Sequence, residues 1–110
     1  MNGMLNFQGG LSLASRQLIV DFAADKRIPA IYQATLFAEA GGLMAWAPDL
    51  VEQFHETARF VAEILEGAKP GDLAVKQPGT YYLTVNSAAA KRIGLTLPAE
   101  LLAQASRVLT

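Results

Sequence analysis

Strands that lie in a parallel sheet with helices on both faces read as nearly all-apolar runs rather than as alternating ones. Three such runs, at residues 4–8, 29–33 and 43–47, punctuate the first half of this sequence. Between the first two, Leu11, Leu18, Ile19, Phe22 and Ala23 recur at helical spacing, which predicts a helix over 12–26. A short helix over 35–39 should stop at Gly41 and Gly42. Pro29 is acceptable at the first position of its strand. A fourth strand is expected over 81–86, followed by a short helix capped by Ser87 and ended by Gly94. Alternating strands and helices of this kind predict an α/β fold, with a small, mostly parallel sheet of about four strands flanked by helices.

The clearest helix lies over 49–67. Asp49 suits its N-cap, and Gly67 suits a left-handed residue just past its end. Its apolar stripe holds Leu50, Val51, Phe54, Ala58, Val61, Ile64 and Leu65, while Glu52, Glu56, Glu63 and Glu66 fall largely off it. A loop rich in proline and glycine follows over 68–79. Pro98 opens a last helix, expected over 98–108.

Bulk properties exclude several classes of function. The 110 residues allow one domain with a real core, and 52% hydrophobic with 17% charged residues is a globular composition. A net charge of −1 with interspersed signs supplies no basic stripe for nucleic acid or an anionic membrane. The absence of cysteine removes disulfides, thiolate metal sites and cysteine nucleophiles. No apolar run approaches the ~20 residues of a membrane span. The first residues lack the charged and apolar regions of a signal peptide, so the sequence as written is expected to be soluble and cytoplasmic. No acidic pair stands at a spacing that makes an acid/base dyad or a metal site, and no cofactor is implied.

The segment Pro29-Ala30-Ile31-Tyr32, followed by Phe37-Ala38-Glu39-Ala40-Gly41-Gly42-Leu43-Met44, resembles the substrate-binding proteins of ABC importers for small molecules, aromatic amino acids among them. The resemblance continues through Pro48-Asp49-Leu50, Ala68-Lys69-Pro70, Asp72-Leu73, Gln77-Pro78, Val85-Asn86 and Ala90-Lys91 to Pro98. It implies two lobes of periplasmic-binding-protein type, with ligand between them, of which this sequence matches the C-terminal third. The expectation is therefore a fragment or truncated remnant, periplasmic if it belongs to a longer family member. Two positions depart from the family pattern. Gly9-Gly10 stands where an Asp-Pro-like turn is usual, and Trp46-Ala47 where a Tyr-Gly pair is usual.

In open parallel sheets, ligands bind beyond the carboxyl ends of the strands. That rule points to Gln8, Gly9, Gly10 and Ser12 after the first strand, Tyr32 and Gln33 at the second, and Trp46 at the third. Gly9-Gly10 could cradle an anion on backbone N–H groups, or simply permit a tight turn. Gly10-Leu11-Ser12-Leu13-Ala14 loosely mimics a nucleophile elbow. It lacks that motif's final glycine, and the sole histidine, His55, lies in the amphipathic helix, so no catalytic residue is assigned. Tyr32 and Trp46 could stack on a planar ligand, or one or both could close the top of the sheet. Three functions remain in order: a small-molecule binding module, a self-associating structural domain that has lost its ligand, and a small hydrolase using Ser12. In the resembled family, other strands lie beside the one at 4–8, and the stripe of helix 49–67 packs on the opposite lobe. The chain is accordingly expected to form a homodimer or a higher symmetric oligomer.

Overall fold

Backbone pairing joins β1 (Met4–Asn6), β2 (Ala30–Tyr32), β3 (Met44–Pro48), β4 (Tyr81–Asn86) and β5 (Arg107–Leu109) into a five-stranded sheet in the order β1-β2-β3-β4-β5. The computed structural model describes residues 2–110. Pairing is parallel between β1 and β2, β2 and β3, and β4 and β5. The α/β, mostly parallel expectation holds, with helices flanking the sheet. The chain forms two compact units, Met1–Ala47 with Tyr82–Thr110, and Pro48–Tyr81.

In the first unit the strand order never reverses. Right-handed crossovers between successive parallel neighbours must then fall on the same side of the sheet. The residues agree. From α2 (Arg16–Asp25), Val20 and Ala23 enter a core cluster with Ala30 and Tyr32 of β2 and Phe37 of α3 (Thr35–Glu39). Arg92 of α5 (Ser87–Arg92) reaches Asp25 at 3.2 Å and Asp21 at 3.8 Å, tying α5 to α2. Gly42 is required here by space. A Cβ on it would sit 2.7 Å from the Phe37 carbonyl oxygen and 2.8 Å from the Tyr32 ring.

Several expectations need correction. The first three strands do not have both faces covered, whereas β4 buries four consecutive residues, Leu83, Thr84, Val85 and Asn86. Along β3, Ala45 and Ala47 are buried while Met44 is half-buried and Trp46 exposed, and β2 shows the same alternation. The register aligns Leu5 with Ile31 and Ile31 with Met44, so these three share the open face. Leu5 is 56% exposed. The helix expected over 12–26 breaks at Ser15, where φ −99° and ψ 17° leave helical geometry between α1 (Gly10–Ala14) and α2. The helix expected over 98–108 stops early, as α6 (Ala99–Gln104). The chain then turns extended, Ser106 N–H donates to the Leu83 carbonyl at 2.8 Å, and β5 pairs with β4. A strand of three residues is too short for its period to show in sequence. The α5 cap is Asn86, not Ser87. The Asn86 carbonyl oxygen accepts from Ala89 N–H at 3.0 Å and its amide donates to the Ala38 carbonyl at 3.0 Å.

The second unit is built on α4 (Leu50–Leu65), bounded as the sequence predicts. Asp49 Oδ1 accepts from the N–H groups of Val51 and Glu52, at 2.7 and 3.1 Å. Gly67 takes φ 111°, a conformation that costs an L side chain energy. None of the 16 residues of α4 is buried. A 3-10 turn at Pro70–Asp72 interrupts the loop that follows.

Candidate functional site

The carboxyl ends of β1, β2 and β3 gather most of the residues singled out by the sequence. Asn6, Tyr32 and Ala45 are in register. One step further along each strand come Phe7, Gln33 and Trp46, and by the alternation of a pleated strand all three fall on the open face. Phe7 is 65% exposed and Trp46 51%. Phe7 is absent from the sequence expectation, although its spacing of two from Leu5 carried the signal.

Hydrogen bonds hold this edge in shape. Gln8 N–H donates to the side-chain oxygen of Gln33 at 3.2 Å, which couples the loop after β1 to the end of β2. Ser12 Oγ accepts from Gly9 N–H at 2.9 Å, and its own proton can go to the carbonyl of Gly9 at 3.0 Å or of Phe7 at 3.3 Å. The Ser12 hydroxyl is thus a staple for the turn that precedes α1. That role leaves it poorly placed as a nucleophile, which needs a base to accept its proton. His55 belongs to the second unit, on the exposed surface of α4.

Gly9 and Gly10 have no steric reason to be glycine. Gly9 is extended at φ −149°, open to any residue, and a Cβ on Gly10 would meet nothing within 4 Å. The tight-turn explanation for the pair therefore fails. Helix α1, with five residues, is also too short for a developed N-terminal dipole.

Tyr32 requires the clearest correction among the site residues. It is 1% exposed and stacked on Phe37, with ring centroids 4.9 Å apart and planes 10° from parallel. Register places it on the sealed face, so its ring closes the core and cannot stack on a ligand at the open one. Burial raises the phenol pKa by disfavouring the charged form. The Tyr32 hydroxyl and the Asn6 amide nitrogen are buried without a hydrogen-bond partner, and the two residues are neighbours in register.

Within the second unit lies a groove of about 760 Å³ between α4 and residues 76–80. Glu56 bridges Arg59 at 2.9 Å and Lys76 at 3.5 Å, and the Lys76 ammonium lies 5.5 Å from the centre of the Phe60 ring. The hydrogen bond from Arg59, reinforced by the charges of Arg59 and Lys76, holds the Glu56 carboxyl below its usual pKa. Among the described residues, no group of histidine and carboxylate side chains could hold a metal ion. Among the same residues, no helix is long and apolar enough to cross a membrane.

Residues 12–109 match a family model described as ABC transporter substrate binding protein. Among solved structures, a conserved domain protein from Vibrio cholerae O1 biovar El Tor is similar at 28% identity and TM-score 0.90, over 94% of this chain and 35% of its own. An ABC domain from Streptococcus pneumoniae in complex with L-Trp shares the fold at 24% identity and TM-score 0.86, over 96% and 36%. So does the ligand-free, open structure of a substrate-binding protein with adhesive properties from Clostridium difficile, at 22% identity and TM-score 0.64, over 96% and 35%. The chain spans about a third of the length of the structures it matches. No curated protein matches it significantly.

Proposed function

We propose that this chain, which belongs to the ABC transporter substrate-binding protein family, supplies one side of a small-molecule site for an ABC importer and binds its ligand without chemical turnover. Trp46 carries this assignment, because it stands half exposed in the middle of β3, level with Gln33 just past the carboxyl end of β2, on the side of the sheet where open parallel sheets bind ligands. The ligand class is an aromatic amino acid or a similar planar molecule, in keeping with the L-Trp held by the pneumococcal relative. Trp46 stacks on the ring. Gln33 presents its amide NH2 and Gly10 its backbone N–H to the ligand's polar end, while Gln8 and Gly9, whose N–H groups are held by Gln33 and Ser12, shape the loop. Ser12 shapes the turn from behind. A periplasmic place of work goes with this role.

Trp46 is the only tryptophan in the sequence, so its fluorescence reports on the site directly. Titration with L-phenylalanine, together with calorimetry against L-tryptophan, should give a saturable emission change and measurable heat. Trp46→Ala should lower affinity at least tenfold, the scale of one lost aromatic stack. Binding that survives Trp46→Ala unchanged rejects the site. A second function, self-association as a structural domain, is favoured by a separate feature, the exposed apolar side chains of α4 such as Phe54, Val61 and Leu65.

A further inference from the structure

Phe7 stands 65% exposed at the candidate site, and neither the core nor the ligand-binding role described so far uses it. A lone exposed apolar side chain needs no explanation. Two observations set this one apart. Its backbone is braced on both sides of the side chain. The Phe7 carbonyl lies 3.3 Å from the Ser12 hydroxyl, and the next residue, Gln8, donates its N–H to the Gln33 side-chain oxygen at 3.2 Å. Phe7 is also level with Trp46. Asn6, Tyr32 and Ala45 are aligned across β1, β2 and β3, so the residues that follow, Phe7, Gln33 and Trp46, form a row on the open face of these three strands.

We propose that Phe7 and Trp46 are the two walls of a slot for one planar ring, which is held between them above β2. The inference rests on the ligand-binding role proposed above and deepens it, because it adds the residue that restricts the ligand to flat, aromatic side chains.

Strand spacing carries the argument. Neighbouring strands lie about 4.8 Å apart, so Phe7 and Trp46 spring from backbones about 9.6 Å apart. A ring midway between them sits about 4.8 Å from each wall. That distance falls inside the range of about 4.5–7 Å between centroids that stacked and edge-to-face aromatic pairs prefer. Gln33 lies in the middle of the row. Its oxygen is taken by Gln8 N–H, so its NH2 group is what it offers to an acceptor on the ligand. Two residues back along each strand, Leu5, Ile31 and Met44 share the same face and give the ring's inner edge an apolar backing. No side chain in the two rows is ionisable, and an uncharged ring suits such a slot.

The test is calorimetric titration of the wild type, Phe7→Leu and Phe7→Tyr with L-phenylalanine and with L-cyclohexylalanine, whose ring is of similar size but neither flat nor aromatic. Phe7→Leu keeps an apolar side chain at an exposed position, and each variant must retain the wild-type circular dichroism spectrum. The wild type should prefer L-phenylalanine. Phe7→Leu should weaken L-phenylalanine about two- to tenfold, the worth of one aromatic contact, and change L-cyclohexylalanine much less. Phe7→Tyr restores a ring and should recover the loss. Without any substitution, nuclear Overhauser contacts from bound L-phenylalanine to the isotope-labelled protein should reach both the Phe7 and the Trp46 rings. Contacts to Trp46 alone, or an L-phenylalanine affinity that Phe7→Leu leaves unchanged, overturn the slot while the binding role stands on Trp46. A wild type that binds neither L-phenylalanine nor L-tryptophan overturns that role, and the slot with it.

Discussion

Helices α2 and α4 are both amphipathic, yet one is a core element and the other is bare. Helix α2 buries Val20 and Ala23 against Ala30 and Tyr32, because it is the crossover from β1 to β2 and its sheet lies directly beneath it. Helix α4 is longer, cleanly capped and carries the fuller apolar stripe, but none of its residues is fully buried, Phe60 being only half-buried. All residues of the buried core fall in the first unit. The contrast teaches that an apolar stripe specifies a face and not its partner. Burial stabilises only when topology or another chain brings a complementary surface.

The contrast can be broken most directly by matched truncations in the two units. Phe37→Ala removes a fully buried ring that stacks on Tyr32, and should cost about 3–5 kcal/mol in urea denaturation. Phe54→Ala removes a ring that is 68% exposed, and should stay within about 0.5 kcal/mol at concentrations where the chain is monomeric. Equal costs would mean that α4 is covered within its own chain. A cost for Phe54→Ala that grows with protein concentration would instead be the mark of self-association through α4.

A smaller effect, confined to the second unit, is expected at the α4 cap. Asp49→Ala leaves the N–H groups of Val51 and Glu52 without their acceptor, at about 1 kcal/mol of helix stability. Hydrogen exchange should show faster exchange at those two amides, with Val85 in β4 unaffected. Protection lost in both places would join the two units into one cooperative structure.

The smallest effect is electrostatic. The pKa of Glu56 is lowered in the folded chain by the Arg59 hydrogen bond first and by Lys76 after it. A depressed carboxyl pKa contributes stability that is complete above the unfolded value and lost as pH falls through the folded one. The bridge to Lys76 should therefore be present at neutral pH and released in acid, below the usual range for glutamate. Because the pair is exposed, added salt should weaken it further. The Phe60 ring resonances, read by NMR between neutral pH and acid, should move in wild type and not in Glu56→Gln. Identical titrations would show that Lys76 over Phe60 owes nothing to Glu56.

Much of the fold was legible in the sequence because its signals are local. The caps at Asp49 and Gly67, the strand 81–86 and the short helix over 35–39 depend on residues within a few positions of one another. The break at Ser15 was hidden because Leu11 and Leu18 keep helical spacing across it. Strand β5 was hidden because Arg107, Val108 and Leu109 take their conformation from β4, more than twenty residues away in the chain. The same limit applied at the candidate site. Trp46 was read as the end of its strand, but β3 runs on to Pro48 and leaves it in the middle. Phe7 was missed and Tyr32 was turned the wrong way.

By itself, the sequence determined the order of elements, the ends of α4, the apolar character of three strands and the family to which the chain belongs. These follow from short-range backbone preference and from patterns that survive at low identity. Only the tertiary structure decided which face each apolar strand residue serves. Tyr32 turns inward and Trp46 outward because parallel register locks alternate side chains to opposite faces, and helices α2 and α3 pack on the face that Tyr32 shares. A run of apolar residues announces two faces that need covering, but strand order decides which of them the chain covers for itself.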